Sequence, residues 1–158
     1  MNDLEQQQRA AVVAEARSWL RTPYHHEARV KGVGVDCAHL LIGVFAAPSV
    51  GLIKPLDIPH YPHDWHMHQG AERYLGIVLD HAHEIPGPPL PGDVVLYRFG
   101  RCFSHGAIVV AWPMIIHAYL NARVTIENAE AARWLNVIGE SVAERGKSRP
   151  RKFFSYWG

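Results

Sequence analysis

Cys37 has the sequence context of a reactive thiol. It follows Asp36 and begins an apolar run that continues to Phe45. Aspartate is a favoured N-cap residue, so the pattern predicts a helix that starts at or near Cys37. Thiolate is the nucleophilic form of cysteine, and a helix N-terminus lowers a thiol pKa from its ordinary value of about 8.5. The first amides of such a helix also suit the oxyanion of a tetrahedral intermediate. We therefore predict that Cys37 is a nucleophile.

Two histidines supply the groups that a cysteine nucleophile needs. His105 begins an apolar strand directly after Ser104, and His117 follows on the next predicted strand. A two-residue turn at Trp112-Pro113 would join these strands as a hairpin and bring both histidines to one face. His105 would then accept the proton of Cys37, and His117 would fix the orientation of His105. The spacing thus predicts a Cys–His–His catalytic set.

Each of these residues also has a purely structural explanation. A cysteine in an apolar helix is more often a small buried core residue, and a strand histidine is more often a satisfied structural residue. Cys102, the second cysteine, lies in a predicted turn beside Phe103 without a helix to activate it, and we interpret it as a partly buried structural thiol. The catalytic prediction therefore depends on the three residues coming together in space.

Helical patterns come first along the chain and strand patterns follow, which indicates an α+β fold. The predicted helices are Leu4 to Leu20, the one starting at Cys37, and Ala71 to His83, with a helical turn at Ala129 to Trp134. The predicted strands are Asp93 to Tyr97, His105 to Val110, Met114 to Tyr119 and Lys152 to Trp157, the first three as an antiparallel meander. The segments His25 to Val35 and Pro55 to His68 are predicted to be loops, the second a functional loop or lid.

The bulk composition suits one compact domain, 1–158, with a sizeable core. The chain has 158 residues, of which 48% are hydrophobic, and a formal net charge of +1. That charge gives no electrostatic case for nucleic acid or an anionic membrane as a partner. The N-terminal twenty residues lack a basic start followed by an apolar run, so we expect no secretory signal. The longest apolar stretch, Ala38 to Ile53, is too interrupted to insert in a bilayer.

Several motifs together resemble the NlpC/P60 family of papain-like cell-wall cysteine peptidases. They are Trp19-Leu20-Arg21-Thr22-Pro23-Tyr24, Gly34-Val35-Asp36-Cys37, Pro91-Gly92-Asp93-Val94-Val95, Ser104-His105-Gly106-Ala107-Ile108-Val109 and Ile116-His117-Ala118, in the family's order. The resemblance implies a papain-like fold with N-terminal helices packed on a central antiparallel sheet, and no cofactor. It implies that Cys37, His105 and His117 form the triad.

The resemblance also implies a substrate. Family members hydrolyse the γ-D-glutamyl–diamino acid bond, or a related amide, in peptidoglycan stem peptides. Tyr24 would support the site near the oxyanion or the substrate amine, and Asp36 and Ser104 would lie where members contact the stem peptide's free amine. The family usually has Asp-Cys-Ser-Gly and Ser-His-Val-Gly-Ile, whereas Ala38 and His39 follow the cysteine here and Gly106 follows His105.

The segment Tyr61-Pro62-x-Asp64-Trp65-His66 and the stretch Glu72 to Leu75 are similar to phage-tail members of the family. This likeness implies a protein made in the cytoplasm that acts on the cell wall as part of a phage or prophage tail, with tail-tip proteins as partners.

Two alternatives stay open. One is a tail assembly component that keeps the fold without useful turnover. The other is a zinc-binding protein that uses a histidine-rich loop, because His60, His63, His66 and His68 crowd one segment. Against zinc stands the lack of an accompanying cysteine or His-Glu-x-x-His pattern, and the loop's simpler interpretation is a cap over the active-site groove.

Overall fold

The computed structural model describes residues 1–64, 72–132, 135 and 149–158. Its helices are α1 (Asp3–Ser18), α2 (Cys37–Phe45) and α3 (Arg73–Leu79). Its strands are β1 (Arg29–Val30), β2 (Gly34–Val35), β3 (His83–Ile85), β4 (Val94–Phe99), β5 (Cys102–Ala111), β6 (Met114–Ala118), β7 (Val124–Asn128) and β8 (Arg151–Ser155). The predicted α+β class is confirmed.

Six antiparallel strands form the central sheet, in the order β3-β8-β4-β5-β6-β7. Strands β4, β5 and β6 are the predicted meander, and Trp112-Pro113 is the predicted two-residue turn between β5 and β6. Sequence reasoning missed β3, which has three residues, and β7, although the alternation of Val124, Thr125, Ile126 and Glu127 is a strand pattern. It also missed the small β1–β2 hairpin inside the segment predicted to be a loop.

The third helix is shorter than predicted. Helix α3 ends at Leu79, and the chain continues through a turn into β3, which pairs with β8. The predicted helical turn after β7 begins as expected, since the Ala132 N–H donates to the Asn128 carbonyl at 3.0 Å. Residues 133 and 134 of that prediction lie outside the described residues.

Helix α1 is anchored to the sheet by a buried ion pair. Asn2 caps the helix by accepting the Glu5 N–H at 2.8 Å. Arg9, one turn later, donates to the Asp93 carboxylate at 2.9 Å and to the Pro91 carbonyl at 2.9 Å. Charges that are removed from water in this way are tolerated only when their hydrogen bonds are satisfied.

Helix α2 is the core helix and begins at Cys37, as predicted. Asp36 is its N-cap and accepts the His39 N–H at 2.9 Å. Leu40 and Val44 are fully buried and pack in the main core with sheet residues such as Ile108 and Ile116. The opposite face of the sheet forms a second, smaller core. Because its first turn abuts β5, α2 brings Cys37 to the strand that carries His105.

Within the described residues, no helix has the length and apolarity to cross a bilayer.

Candidate functional site

A cavity of about 250 Å³ lies between the start of α2 and the beginning of β5. Cys37, Ser104 and His105 line it, and so do Tyr24 and Asp36. Of the six residues singled out from the sequence, the structure thus brings five to one cavity wall. The sixth, His117, lies behind His105.

The two histidines are in direct contact. His105 Nε2 lies 2.9 Å from His117 Nδ1, and His117 Nε2 lies 3.0 Å from a carboxylate oxygen of Glu127. His117 is fully buried, and His105 is 8% exposed. The expected pairing of the two imidazoles is therefore present, and Glu127 on β7 extends it by one group that the sequence analysis missed.

A β-bulge at Val110 is what places both histidines on one face of the sheet. Next to the turn, Ala111 pairs with Met114. Regular strands in that register would bring His117 opposite Ile108, whose side chain points to the other face from His105. The bulge shifts the register so that Ile108 pairs with Ile116, and His117 continues the ladder on the face that His105 shares. A two-residue turn alone would have separated the two imidazoles.

A second bulge on β5 shapes the contact with Cys37. Tyr97 pairs with His105 and Arg98 pairs with Phe103, which leaves Ser104 as the extra residue. The carbonyl of Ser104 accepts from the Cys37 Sγ–H at 3.6 Å. Bulges re-aim groups next to active sites. Here the bulge aims a backbone oxygen at the sulfur immediately before the residue predicted to be its base.

Three donors surround the Cys37 sulfur. The backbone N–H groups of Gly106 and Ala38 and the hydroxyl of Tyr74 lie close enough to lower the pKa of the Cys37 thiol, because each can donate to the thiolate. At rest the single hydroxyl proton of Tyr74 is donated to the Cys37 carbonyl, at 3.2 Å, and it can turn to the sulfur when the thiolate forms. Tyr74 comes from α3, whose neighbouring Glu72 carboxylate accepts the Phe103 N–H at 2.9 Å. Sequence reasoning missed Tyr74, although it belongs to a motif that was noted.

The pKa of the Cys37 thiol is raised, whereas the helix start predicted that it would be lowered. Burial, and after it the Asp36 carboxylate, raise the pKa of the Cys37 thiol to about 12 despite the three donors. Burial, then His117 and Arg149, lower the pKa of His105 well below its ordinary value. Both shifts favour a neutral thiol and a neutral imidazole in the resting protein. The helix start was expected to lower the pKa of Cys37, but in the free protein desolvation outweighs that effect, so activation depends on His105.

Asp36 is saturated with hydrogen bonds from the protein. One carboxylate oxygen accepts from the His39 N–H and His39 Nδ1, each at 2.9 Å. The other accepts from the Glu27 N–H at 2.7 Å and from the Tyr61 hydroxyl. Burial would raise the pKa of Asp36, but the hydrogen bonds from His39 and Tyr61 hold it below its ordinary value. Since a carboxylate has about four acceptor positions, a substrate amine would have to replace one of these donors.

Two further residues noted in the sequence are Tyr24 and Cys102. Tyr24 lies on the cavity wall, where burial, then Cys37 and Asp36, raise its pKa, so its hydroxyl is a hydrogen-bond donor there. Cys102 is completely buried at the start of β5 and not in the turn, and burial raises the pKa of its thiol.

The histidine-rich loop is held by side chains next to α2. His60 Nδ1 lies 2.8 Å from a Glu27 carboxylate oxygen, and the Tyr61 N–H donates to the same carboxylate at 2.9 Å. His66 and His68 lie outside the described residues. Among the residues that are described, no three histidine, cysteine or acidic side chains group as metal ligands do.

No protein-family model matches the chain, and no curated protein matches it. Several solved structures do match it. The NlpC/P60 domain of the peptidoglycan hydrolase SagA matches with a TM-score of 0.53 and 20% identity, over 77% of this chain and 90% of that one. The peptidoglycan hydrolase RipB from Mycobacterium tuberculosis matches with a TM-score of 0.58 and 15% identity, over 99% and 68% of the two chains.

NlpC2 from Trichomonas vaginalis matches with a TM-score of 0.62 and 14% identity, and this chain spans 48% of its length. These likenesses concern the path of the backbone. They confirm that the protein has the fold of NlpC/P60 domains.

Proposed function

We propose that this protein is a cysteine peptidase or amidase that hydrolyses an amide in peptidoglycan stem peptides. The observation that carries the proposal is the shared cavity: Cys37 and His105 line it together, with His105 hydrogen-bonded to His117 behind it. The NlpC/P60 fold supports the substrate class, since SagA and RipB are peptidoglycan hydrolases with that fold.

The reaction begins with the two neutral groups. The Cys37 S–H turns from the Ser104 carbonyl toward His105, whose Nε2 is engaged by His117, so the proton passes to Nδ1. The sulfur then attacks the carbonyl carbon of the scissile amide, and backbone amides at the start of α2 bind the oxyanion. His105 returns the proton to the leaving amine, the C–N bond breaks, and water hydrolyses the thioester in a second attack.

Three further residues act on the substrate in this proposal. Tyr24 donates a hydrogen bond across the cavity to the oxyanion or to the peptide. Ser104 and Asp36 lie on the side that receives the substrate amine, and Asp36 acts there by exchanging one of its present donors, most simply the Tyr61 hydroxyl. The scissile bond is of the γ-D-glutamyl–diamino acid type, by the resemblance of the motifs around Cys37 and His105.

The resemblance of residues 61–66 and 72–75 extends the proposal to a site of action. The protein is made in the cytoplasm, joins a phage or prophage tail, and meets the wall through tail-tip partners. A test is co-purification with tail particles from induced cells. Absence from intact particles would remove this part of the proposal and leave the hydrolase intact.

The hydrolase is tested on purified peptidoglycan, with release of stem-peptide fragments followed by mass spectrometry. Cys37→Ala is expected to abolish release, and Cys102→Ser is the matched control because its thiol is buried away from the cavity. Release that survives in Cys37→Ala would rule out the mechanism. Failure of the unaltered protein to release fragments, together with an unreactive Cys37, would favour the assembly component.

A further inference from the structure

Among the described residues, Glu127 is linked to His105 by a chain of two hydrogen bonds through His117. Its carboxylate lies 3.0 Å from His117 Nε2, and His117 Nδ1 lies 2.9 Å from His105 Nε2. The Glu127 side chain is 30% exposed, whereas that of His117 is fully buried. One end of the chain therefore reaches solvent and the other end reaches the cavity.

The direction of the protons along this chain follows from the carboxylate. An ionised carboxylate only accepts hydrogen bonds, so His117 Nε2 must carry its proton and donate. Burial lowers the pKa of His117, which keeps this ring neutral, so Nδ1 is unprotonated and accepts. His105 Nε2 must then donate. In a neutral His105, the lone pair is consequently on Nδ1.

We propose that Glu127 is a positioning residue that sets the tautomer of His105 through His117, so that His105 Nδ1 is the base for the Cys37 thiol. The role rests on the proposed function. It acts in two ways: it fixes which nitrogen holds the lone pair before the reaction, and it stabilises the positive charge that His105 gains when it takes the proton. Without the carboxylate at position 127, the hydrogen bond that favours the Nε2–H tautomer of His117 is lost, and its effect on His105 is lost with it.

The strand geometry makes this arrangement specific. On the β6–β7 ladder, Thr125 pairs with His117 and Glu127 pairs with Ile115. Residues 115 and 117 share a face, as do 125 and 127, so Glu127 reaches His117 diagonally across the ladder. The carboxylate is held beside the imidazole by sheet register, which explains why a separation of ten residues in sequence becomes a direct contact.

The direct test is the tautomeric state, read from ¹⁵N chemical shifts of the two imidazoles in the whole protein near pH 7. We expect both His105 and His117 as the Nε2–H tautomer. In Glu127→Ala we expect a mixture at both rings. Glu84→Ala is the matched control, because that carboxylate pairs with Lys152 on a distant strand. His105 found as the Nδ1–H tautomer in the unaltered protein would overturn the proposal.

The second readout is the reactivity of Cys37 toward iodoacetamide, followed by site-resolved mass spectrometry. Glu127→Gln keeps the side-chain shape and removes the charge, and we expect alkylation to slow by about tenfold or more with an unchanged melting temperature. A rate equal to that of the unaltered protein would count against Glu127. Neither readout uses peptidoglycan, so a failed wall assay with the expected tautomers and rates would refute the hydrolase and leave the role of Glu127 standing.

Discussion

Gly106 leaves the space that the hydroxyl group of Tyr74 occupies. A Cβ on Gly106 would overlap that oxygen and would approach Leu41 Cδ1 to 3.0 Å. The glycine follows His105 directly, and its N–H and the Tyr74 hydroxyl both face the Cys37 sulfur. Position 106 is usually valine in the family that the motifs resemble. The glycine found here leaves room for a tyrosine from another element.

This close packing predicts that one substitution destabilises the protein and that a second one partly restores its stability. Gly106→Ala should lower the free energy of unfolding by about 1–3 kcal/mol, because an extra methyl group is forced into a packed site. Tyr74→Phe in the same background should recover part of that loss, since the overlapping oxygen is removed. Chemical denaturation of the two variants and the parent measures this. Equal stability of Gly106→Ala and the parent would contradict the close approach.

The Tyr74 hydroxyl is also predicted to affect the thiol itself. Tyr74→Phe alone should slow alkylation of Cys37 by about tenfold near neutral pH, because one hydrogen bond to the forming thiolate is lost. Tyr156→Phe is a suitable control, since Tyr156 is 37% exposed and outside this cavity. If both tyrosine variants react at the parental rate, Tyr74 contributes packing only.

The raised pKa of Cys37 predicts a specific pH dependence of its alkylation. A thiol with a raised pKa is protonated at neutral pH, and a His105 with a lowered pKa is uncharged there. The iodoacetamide rate should therefore climb continuously between pH 6 and pH 10, roughly the range in which ordinary thiols begin to ionise. A rate that is already at its plateau near pH 5 would indicate a thiolate–imidazolium pair and would contradict the neutral resting state.

Asp36 should contribute stability that depends on pH. Asp36→Asn keeps a good N-cap side chain but replaces one accepting oxygen with an amide NH2 that faces donors, and it should cost about 1–3 kcal/mol of unfolding free energy. Its pKa is lowered in the folded protein, so the contribution is complete above the unfolded value of about 3.9 and is lost as pH falls through the folded value. Denaturation of both proteins between pH 2 and pH 7 should show their stabilities converging at the acidic end. A constant difference would mean that the charge of Asp36 is irrelevant.

Removal of one partner of the buried pair between Arg9 and Asp93 should be strongly destabilising. Arg9→Met removes one partner and leaves an uncompensated buried carboxylate, which typically costs about 3–5 kcal/mol. The exposed pair between Lys152 and Glu84 offers the comparison, and Lys152→Met should cost less than about 1 kcal/mol. Thermal unfolding of the two variants would reveal the difference. Comparable losses would mean that the Arg9 pair is not desolvated as its burial indicates.

Local features of the site could be predicted from the sequence because they depend on neighbouring residues. The capping aspartate and the apolar run after it determine where α2 starts, and that start places Cys37 in the first turn. The two apolar runs on either side of Trp112-Pro113 indicate the hairpin of β5 and β6. These patterns fixed the candidate residues Cys37, His105 and His117 without coordinates.

Tertiary structure decided the rest, because it depends on register and burial. The bulge at Val110 puts the two histidines on one face, and no local residue pattern marks it. The contact of Glu127 with His117 and the approach of Tyr74 to Cys37 join elements that are distant in sequence. The raised pKa of Cys37 likewise arises first from desolvation, which exists only once the folded chain packs against the sulfur. Sequence alone thus determined which groups are chemically able to react, and the folded chain determined how they are aligned and charged, since alignment and charge are set by distances through space.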